Sequence, residues 1–407
     1  MRRMTVTERP HWKDAAREVG FGFHEMYGEP YWVDDAAYAF SLDEIEGEIE
    51  DPAADLHQLC LDLVDDAVRD ERILHQLDIP DTQWDLIRGS WQNGDRHLYG
   101  RFDFAYRGDG PAKLLEYNAD TPTSVFETAF FQHNWLIDQI ELGALPPETD
   151  QFNLVQESLV EAFAHFEGRS IFHFACATDN DEDRGTAAYL MDCAVQAGHS
   201  VDLIDISRIG VDANGRFTDE QDRVIDRCFK LYPWEDMLRE PFSAHLKPGV
   251  FVEPAWKAIL SNKAMMPLLW ARNEGHPNLL PTYFEGDTAT ESLSEFVVKP
   301  FFSREGENVA IHTRAAPRAH EHQEGLQSSE NDTVTVVEHA EGDYGEERRI
   351  VQAYAPLWTD RERHAVLGVW MVGDRAAGLG MREDASRITR NLSQFVPHVI
   401  LEAASSP

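Results

Sequence analysis

Two short runs of alternating polar and apolar residues, YGRFDFAY (99–106) and AKLLEYNAD (112–120), lie on either side of RGDGP (107–111). This pairing constrains the fold more than any other feature of the chain. Alternate side chains of a strand share a face. Arg101 and Asp103 therefore point one way and Phe102 and Phe104 the other. On the second strand Glu116 and Asn118 share a face, opposite Leu115 and Tyr117. Folding about the Asp109–Gly110 turn sets Asp103 against Glu116 and Arg101 against Asn118. Pro111 has no N–H to give to a ladder, so a loop longer than two residues and another register stay open. Two carboxylates and an amide oxygen in one cluster are hard oxygen ligands, of the kind Mg²⁺ takes when it also binds phosphates. A neighbouring Arg suits a transferring phosphoryl group. A solvated polar sheet face with a salt bridge accounts for the same residues.

The rest of the chain bounds the answer. At 407 residues with 43% hydrophobic side chains, it has the material for two or three structural units. There are 36 Lys and Arg against 73 Asp and Glu, a net charge of −37 spread along the chain. Such a surface repels nucleic acid and anionic membranes. Solubility or salt adaptation explains it, and a cationic partner such as a polyamine is the alternative. No stretch reaches the roughly 18 apolar residues of a spanning helix, and no apolar run follows MRRMTVTERP. The four cysteines, Cys60, Cys176, Cys193 and Cys228, have no CxxC spacing. They read as buried thiols of a cytoplasmic protein, with neither a zinc site nor disulfides. None of the 17 histidines forms a metal-spaced pair along the chain, and AHEHQ (319–323) reads as solvated.

Periodicity predicts helix over 34–78, 122–142 and 152–167. The strand IFHFACA (171–177), polar loop 178–185, helix 186–198 and strand 201–206 then suggest an α/β layer. Beyond 250 the pattern is mixed: a helix around 255–270 and strands around 295–302, 333–338, 349–355 and 365–372. Residues 316–332 read as an exposed, mobile connection.

Four segments in order complete the pattern: LLEYNADTPTS (114–124), SNKAMMPLLW (261–270), VVKPFFSREGENV (297–309) and GLGMREDASRITRNLSQFVPH (378–398). From about residue 20 to 400 they resemble the synthetase domain of glutathionylspermidine synthase and its stand-alone relatives, acid–amine ligases of the ATP-grasp superfamily. The papain-like amidase domain of some members is not expected, since fewer than 100 residues precede YGRFD. The resemblance implies an α+β ATP-grasp fold preceded by an α/β substrate domain. The expected division is 1–250, with the hairpin, and 251–407, with the nucleotide-binding lobes.

Site residues follow from the resemblance. Arg101 would stabilise the transferring phosphoryl group. Asp103, Glu116 and Asn118 would hold two Mg²⁺ ions. Thr121 and Thr123 would contact the carboxylate substrate. ATP would be bound by Lys263 and Lys299, by Gly306 in a phosphate-covering loop, and by Gln352, Ala353, Tyr354 and Ala355 along the adenine. Arg387, Ile388 and Thr389 would line the same nucleotide pocket. Arg304 would reach the phosphoryl group on loop closure, and Arg382 would hold the acyl phosphate. Glu182 and Asp183 match acidic substrate contacts. Glu305 departs from the smaller residue that relatives often carry, and Leu231 and Tyr232 depart from the family's pocket motif in FKLYPWED (229–236).

The implied reaction is ATP-dependent activation of a carboxylate as an acyl phosphate, followed by attack of an amine. The protein's task is to neutralise phosphate charge and align two substrates. The substrates would be a peptide or small carboxylic acid and a polyamine or other amine. A phosphotransferase, or a non-catalytic nucleotide-binding protein on the same fold, is the rival reading.

Overall fold

The computed structural model describes residues 1–168, 170–315 and 334–401. The expected mobile connection 316–332 and AHEHQ lie outside the described residues.

The hairpin forms in the expected register. Tyr99–Ala105 pairs antiparallel with Lys113–Asn118, with Arg101 opposite Asn118 and Asp103 opposite Glu116. The connection runs 106–112, longer than a two-residue turn, as Pro111 suggested. One feature departs from simple alternation. A bulge makes Leu114, not Leu115, the partner of Phe104. An extra residue on one strand re-aims its neighbours. On the buried face Phe102 stacks on Tyr117 with ring centroids 3.9 Å apart, an aromatic cross-strand pair that fixes the register.

The hairpin is the edge of a six-stranded sheet. Tyr99–Ala105 pairs with Arg363–Val372, which pairs with Arg375–Asp384 and through it with Gln394–Val396; Trp358–Asp360 joins Arg363–Val372. Strands from both sides of residue 250 thus share one sheet. A second, five-stranded antiparallel sheet runs Thr282–Phe284, Arg349–Ala353, Glu295–Pro300, Ala310–Arg314, Val334–His339.

The α/β layer is a parallel sheet ordered Phe251–Val252, Cys228–Lys230, Phe172–Cys176, Val201–Asp205. Every residue of Phe172–Cys176 is buried, as a parallel strand covered on both faces requires. Helix Asp181–Gln196 makes the crossover between Phe172–Cys176 and Val201–Asp205.

Local signals correct three expectations. Helix Asp181–Gln196 starts within the expected loop 178–185, because Asn180 caps it by accepting from the Glu182 and Asp183 amides. The expected helix 34–78 begins as the buried strand Ala36–Phe40. Ser41, in a capping box with Glu44, then starts the helical run. The expected helix 255–270 is split into the 3₁₀ turn Ala255–Ile259 and helix Met265–Arg272. At the break the Lys263 amide donates to the Phe301 carbonyl at 2.9 Å, which ties the segment to the second sheet. All four cysteines are buried and unpaired, and among the described residues no helix is long and apolar enough to cross a membrane.

Candidate active site

The polar face of the hairpin is tightly cross-linked. Arg101 donates from Nε to Asp103 Oδ1 at 2.6 Å and from Nη2 to Oδ2 at 3.0 Å. Its Nη1 donates to the Thr123 carbonyl at 2.8 Å. Gly368 lies opposite Asp103 on the next strand, and a Cβ there would come within 2.7 Å of Arg101 Cδ. A side chain at 368 would displace the Arg101 stem from this position. Asn118 Nδ2 donates to Asp103 Oδ2 at 3.0 Å and Glu116 Oε1 at 3.3 Å. Lys263 Nζ sits 3.2 Å from Glu116 Oε2 and donates to the Ser303 carbonyl.

The two carboxylates are held in different electrostatic states. Burial pushes Glu116 up, but Lys263 and Lys299 outweigh it and hold its carboxyl down at about 2. Burial pushes Asp103 upward against the pull of Arg101.

The cleft between the two antiparallel sheets gathers the nucleotide candidates. Lys263, Lys299, Gly306 and Gln352 line it together with Asp103 and Glu116. Ala353, Tyr354 and Ala355 line it too, as do Arg387, Ile388 and Thr389. Lys299, 7% exposed, donates to the Leu115 carbonyl at 2.9 Å and Gln352 Oε1 at 2.8 Å. The bulge at Leu115 therefore shapes this cleft, where simple alternation had set that residue on the opposite face. Burial lowers Lys299 to about 8, with Glu116 opposing the shift. Arg387 is tied to Glu338 at 2.8 Å, and its guanidinium lies over the Tyr354 ring.

The loop over the cleft carries three residues with left-handed backbone, Glu305, Gly306 and Asn308. Gly306 has φ +73°, and a Cβ there would lie 2.4 Å from the Thr389 carbonyl oxygen. Arg304 reaches from this loop to Thr121 Oγ1 at 2.8 Å and pairs with Glu235. Thr121 thus presents its hydroxyl, whereas Thr123 engages Arg101 through its carbonyl. A second small cleft shares Asp103 and Thr389 with the first and contains Arg101, Ser124 and Arg382. Arg382 donates from Nε to the Ser393 carbonyl at 2.8 Å and from Nη1 to Ser124 Oγ at 3.4 Å.

Glu182 and Asp183 do not line either cleft. They stand in the first turn of Asp181–Gln196, where burial and then Glu182 and Glu305 push Asp183 up to about 6. Sequence reasoning missed Glu127 and Tyr31. Glu127 is 1% exposed and accepts from the Tyr31 hydroxyl at 2.7 Å, while that hydroxyl lies 3.2 Å from Ser124 Oγ. Burial, with Glu182 adding to it, raises Glu127 to about 7. Its available signal was a lone acid in an otherwise apolar helical run, SVFETAFF.

A relative from Haemophilus influenzae named "Putative acid–amine ligase" is 38% identical over 415 aligned residues, spanning 98% of this chain and 99% of its own. Trypanothione synthetase of Crithidia fasciculata is 26% identical over 84% of this chain and 53% of its own. The bifunctional glutathionylspermidine synthetase/amidase of Escherichia coli is 26% identical over 96% and 64%. The chain therefore spans between half and two thirds of these two longer relatives. A glutathione synthetase-like effector from Globodera pallida superimposes with a TM-score of 0.50 at 11% identity, covering 86% of this chain and 84% of its own, a likeness of fold. The sequence model described as "Glutathionylspermidine synthase preATP-grasp" matches residues 3–401. With that match over nearly its whole length and two antiparallel sheets enclosing a lysine-lined cleft, the chain belongs to the glutathionylspermidine synthase family and has the ATP-grasp fold.

Proposed function

We propose that this chain is an ATP-dependent ligase that joins a carboxylic acid to an amine through an acyl phosphate. One observation carries the reading. Two lysines, a glycine-bearing loop and the 352–355 segment share a single cleft with Asp103 and Glu116. The relatives' activities, named for acid–amine, trypanothione and glutathionylspermidine chemistry, point the same way.

In this reading the backbone and side chains of Gln352–Ala355 meet the adenine, with Arg387–Thr389 closing the pocket. Lys263 and Lys299 contact the phosphates. Asp103, Glu116 and Asn118 would hold Mg²⁺, two ions by analogy with the family. The donor set fits, because two carboxylates flank one amide on a single sheet face, the hard oxygen donors that Mg²⁺ takes, and Arg101 and Lys263 would have to yield part of their hold on those oxygens. Mg²⁺ there would neutralise phosphate charge during transfer.

The chain's own groups do the rest. Arg101 lies beside Asp103 and is placed to stabilise the phosphoryl group in flight. Arg304, on the loop, reaches the phosphoryl group on closure, and Arg382, on strand Arg375–Asp384, helps hold the acyl phosphate. The Thr121 hydroxyl and the Thr123 region orient the acid. Glu182, Asp183 and Glu305 form an acidic approach for a cationic amine, and the net charge of −37 favours such a substrate over an anionic one. A peptide or small carboxylic acid and a polyamine or other amine are the substrate classes.

The test is ADP release with Mg²⁺-ATP across a matrix of carboxylate peptides and polyamines, with mass spectrometry on active mixtures. ADP release that needs both partners, with a product lighter than their sum by one water, is expected. Transfer of phosphate to a hydroxyl, or tight ATP binding with no turnover on any pair, would overturn the reading.

A further inference from the structure

Behind the hairpin, on the side of Tyr117 rather than Glu116, three side chains from distant segments converge. His57 comes from helix Asp51–Ala67, His97 from the approach to Tyr99–Ala105, and Asp374 from the turn between Arg363–Val372 and Arg375–Asp384. Both imidazoles aim Nε2 at the same oxygen. Asp374 Oδ1 is 3.0 Å from His57 and 3.1 Å from His97. One ligand atom from each of the three residues lies within 4.8 Å of the others.

A hydrogen-bonded clamp would also bring these groups together, so the detail matters. Tetrahedral Zn²⁺ with bonds of about 2.0–2.1 Å spaces neighbouring ligand atoms by roughly 3.3 Å. The two N···O separations are close to that edge. Tyr117 OH lies 3.4 Å from His57 Nδ1, the outer contact that orients a ligating imidazole. His97 Nδ1 is buried with no hydrogen-bond partner among the described residues, so the ring, stacked on His57 and edge-on to Trp256, makes its hydrogen bond through Nε2. The Asp374 side chain is 69% exposed at the mouth of a crevice bordered by Trp91, His165 and Trp256. An ion has a way in, and solvent can fill a fourth position. Two imidazole nitrogens disfavour Mg²⁺, which takes oxygen ligands, and favour a borderline transition ion.

We propose that His57, His97 and Asp374 form a Zn²⁺ site, separate from the nucleotide cleft, that ties helix Asp51–Ala67 to the sheet bearing the Arg101–Asn118 hairpin. The site needs no residue assigned to ATP or Mg²⁺, so its fate is independent of the ligase reading.

The test uses the full chain, stripped with EDTA, reloaded with Zn²⁺ in excess Mg²⁺, desalted and assayed by elemental mass spectrometry. About one zinc per chain is expected, and Co²⁺ in its place should give the strong visible bands of a tetrahedral ion. Both signals should fall at least tenfold in Asp374→Asn and in His97→Gln, and added Zn²⁺ should raise the melting temperature of the native chain alone. Asp374 lies in an exposed turn, so its variant carries the test even if His97→Gln fails to fold. No retained zinc, or zinc retained equally by the Asp374→Asn variant, would overturn the proposal.

Discussion

Arg101 grips both carboxylate oxygens of Asp103 from only two residues away on the same strand, at 2.6 and 3.0 Å. Same-face neighbours on a strand do not usually make a two-point contact, because both side chains stand up from the sheet. Here Gly368, opposite Asp103, leaves the room that the Arg101 side chain occupies. The pair is a charge-assisted, bidentate contact that holds a guanidinium against an acidic cluster.

Asp103→Asn and Glu116→Gln each keep side-chain volume and remove one ligand charge. Turnover should fall by at least about 100-fold, the scale of losing one electrostatic stabiliser of a transition state. Circular dichroism should stay near that of the native chain, while the melting temperature of Asp103→Asn should fall, because Arg101 keeps its charge and loses its charged partner. Full activity in either variant, across a Mg²⁺ titration, would remove these residues from the metal assignment.

Lys299→Ala should weaken ATP binding by about 10–100-fold, the cost of a hydrogen bond to a charged group. The native protein should show a matching pH effect. The Lys299 pKa is lowered to about 8, so its ammonium is present below that pH and lost above it. ATP affinity, followed by calorimetry from about pH 7 to about pH 9.5, should decline through this range in the native chain and decline less in Lys299→Ala. Parallel declines would mean that another group governs the pH dependence.

At Gly306 the added methyl of Gly306→Ala meets the Thr389 carbonyl at 2.4 Å on a φ of +73°. Strain of about 1–3 kcal/mol should lift the loop and raise the KM for ATP about tenfold, with global stability little changed. Steady-state kinetics with limited proteolysis of the loop would reveal this. An unaltered KM would show that the loop's contact with Ile388 and Thr389 is dispensable.

Glu253 and Lys257 are fully buried and paired at 2.7 Å. Glu253 also accepts the amides of Leu98 and Tyr99, and Lys257 donates to the Tyr99 carbonyl, so the pair anchors the start of strand Tyr99–Ala105. Glu253→Ala leaves an ammonium buried without its partner and should cost about 3–5 kcal/mol. Denaturant titration measures the loss, and a loss below about 1 kcal/mol would mean that water or another acid replaces the carboxylate.

The sequence by itself determined what short-range geometry can encode. Period-two alternation set Arg101, Asp103, Glu116 and Asn118 on one face, and folding about Asp109–Gly110 offered the register observed, with another left open. Ordered motifs, matched to a known family, nominated the residues that share the cleft. Tertiary structure decided what depends on contacts between distant segments. Leu115 entered the cleft because a bulge, invisible in a pattern of polar and apolar residues, broke the alternation. The helix start at Asp181 turned on one cap, Asn180, standing in a stretch whose acidity read as loop. Glu127 gained its environment from Tyr31, nearly a hundred residues earlier. His57, His97 and Asp374 have no spacing in common, since folding alone brings helix, strand approach and turn to one point. Side chains on one element are related by the fixed repeat of the backbone, whereas those on different elements meet only where packing of the whole core puts them.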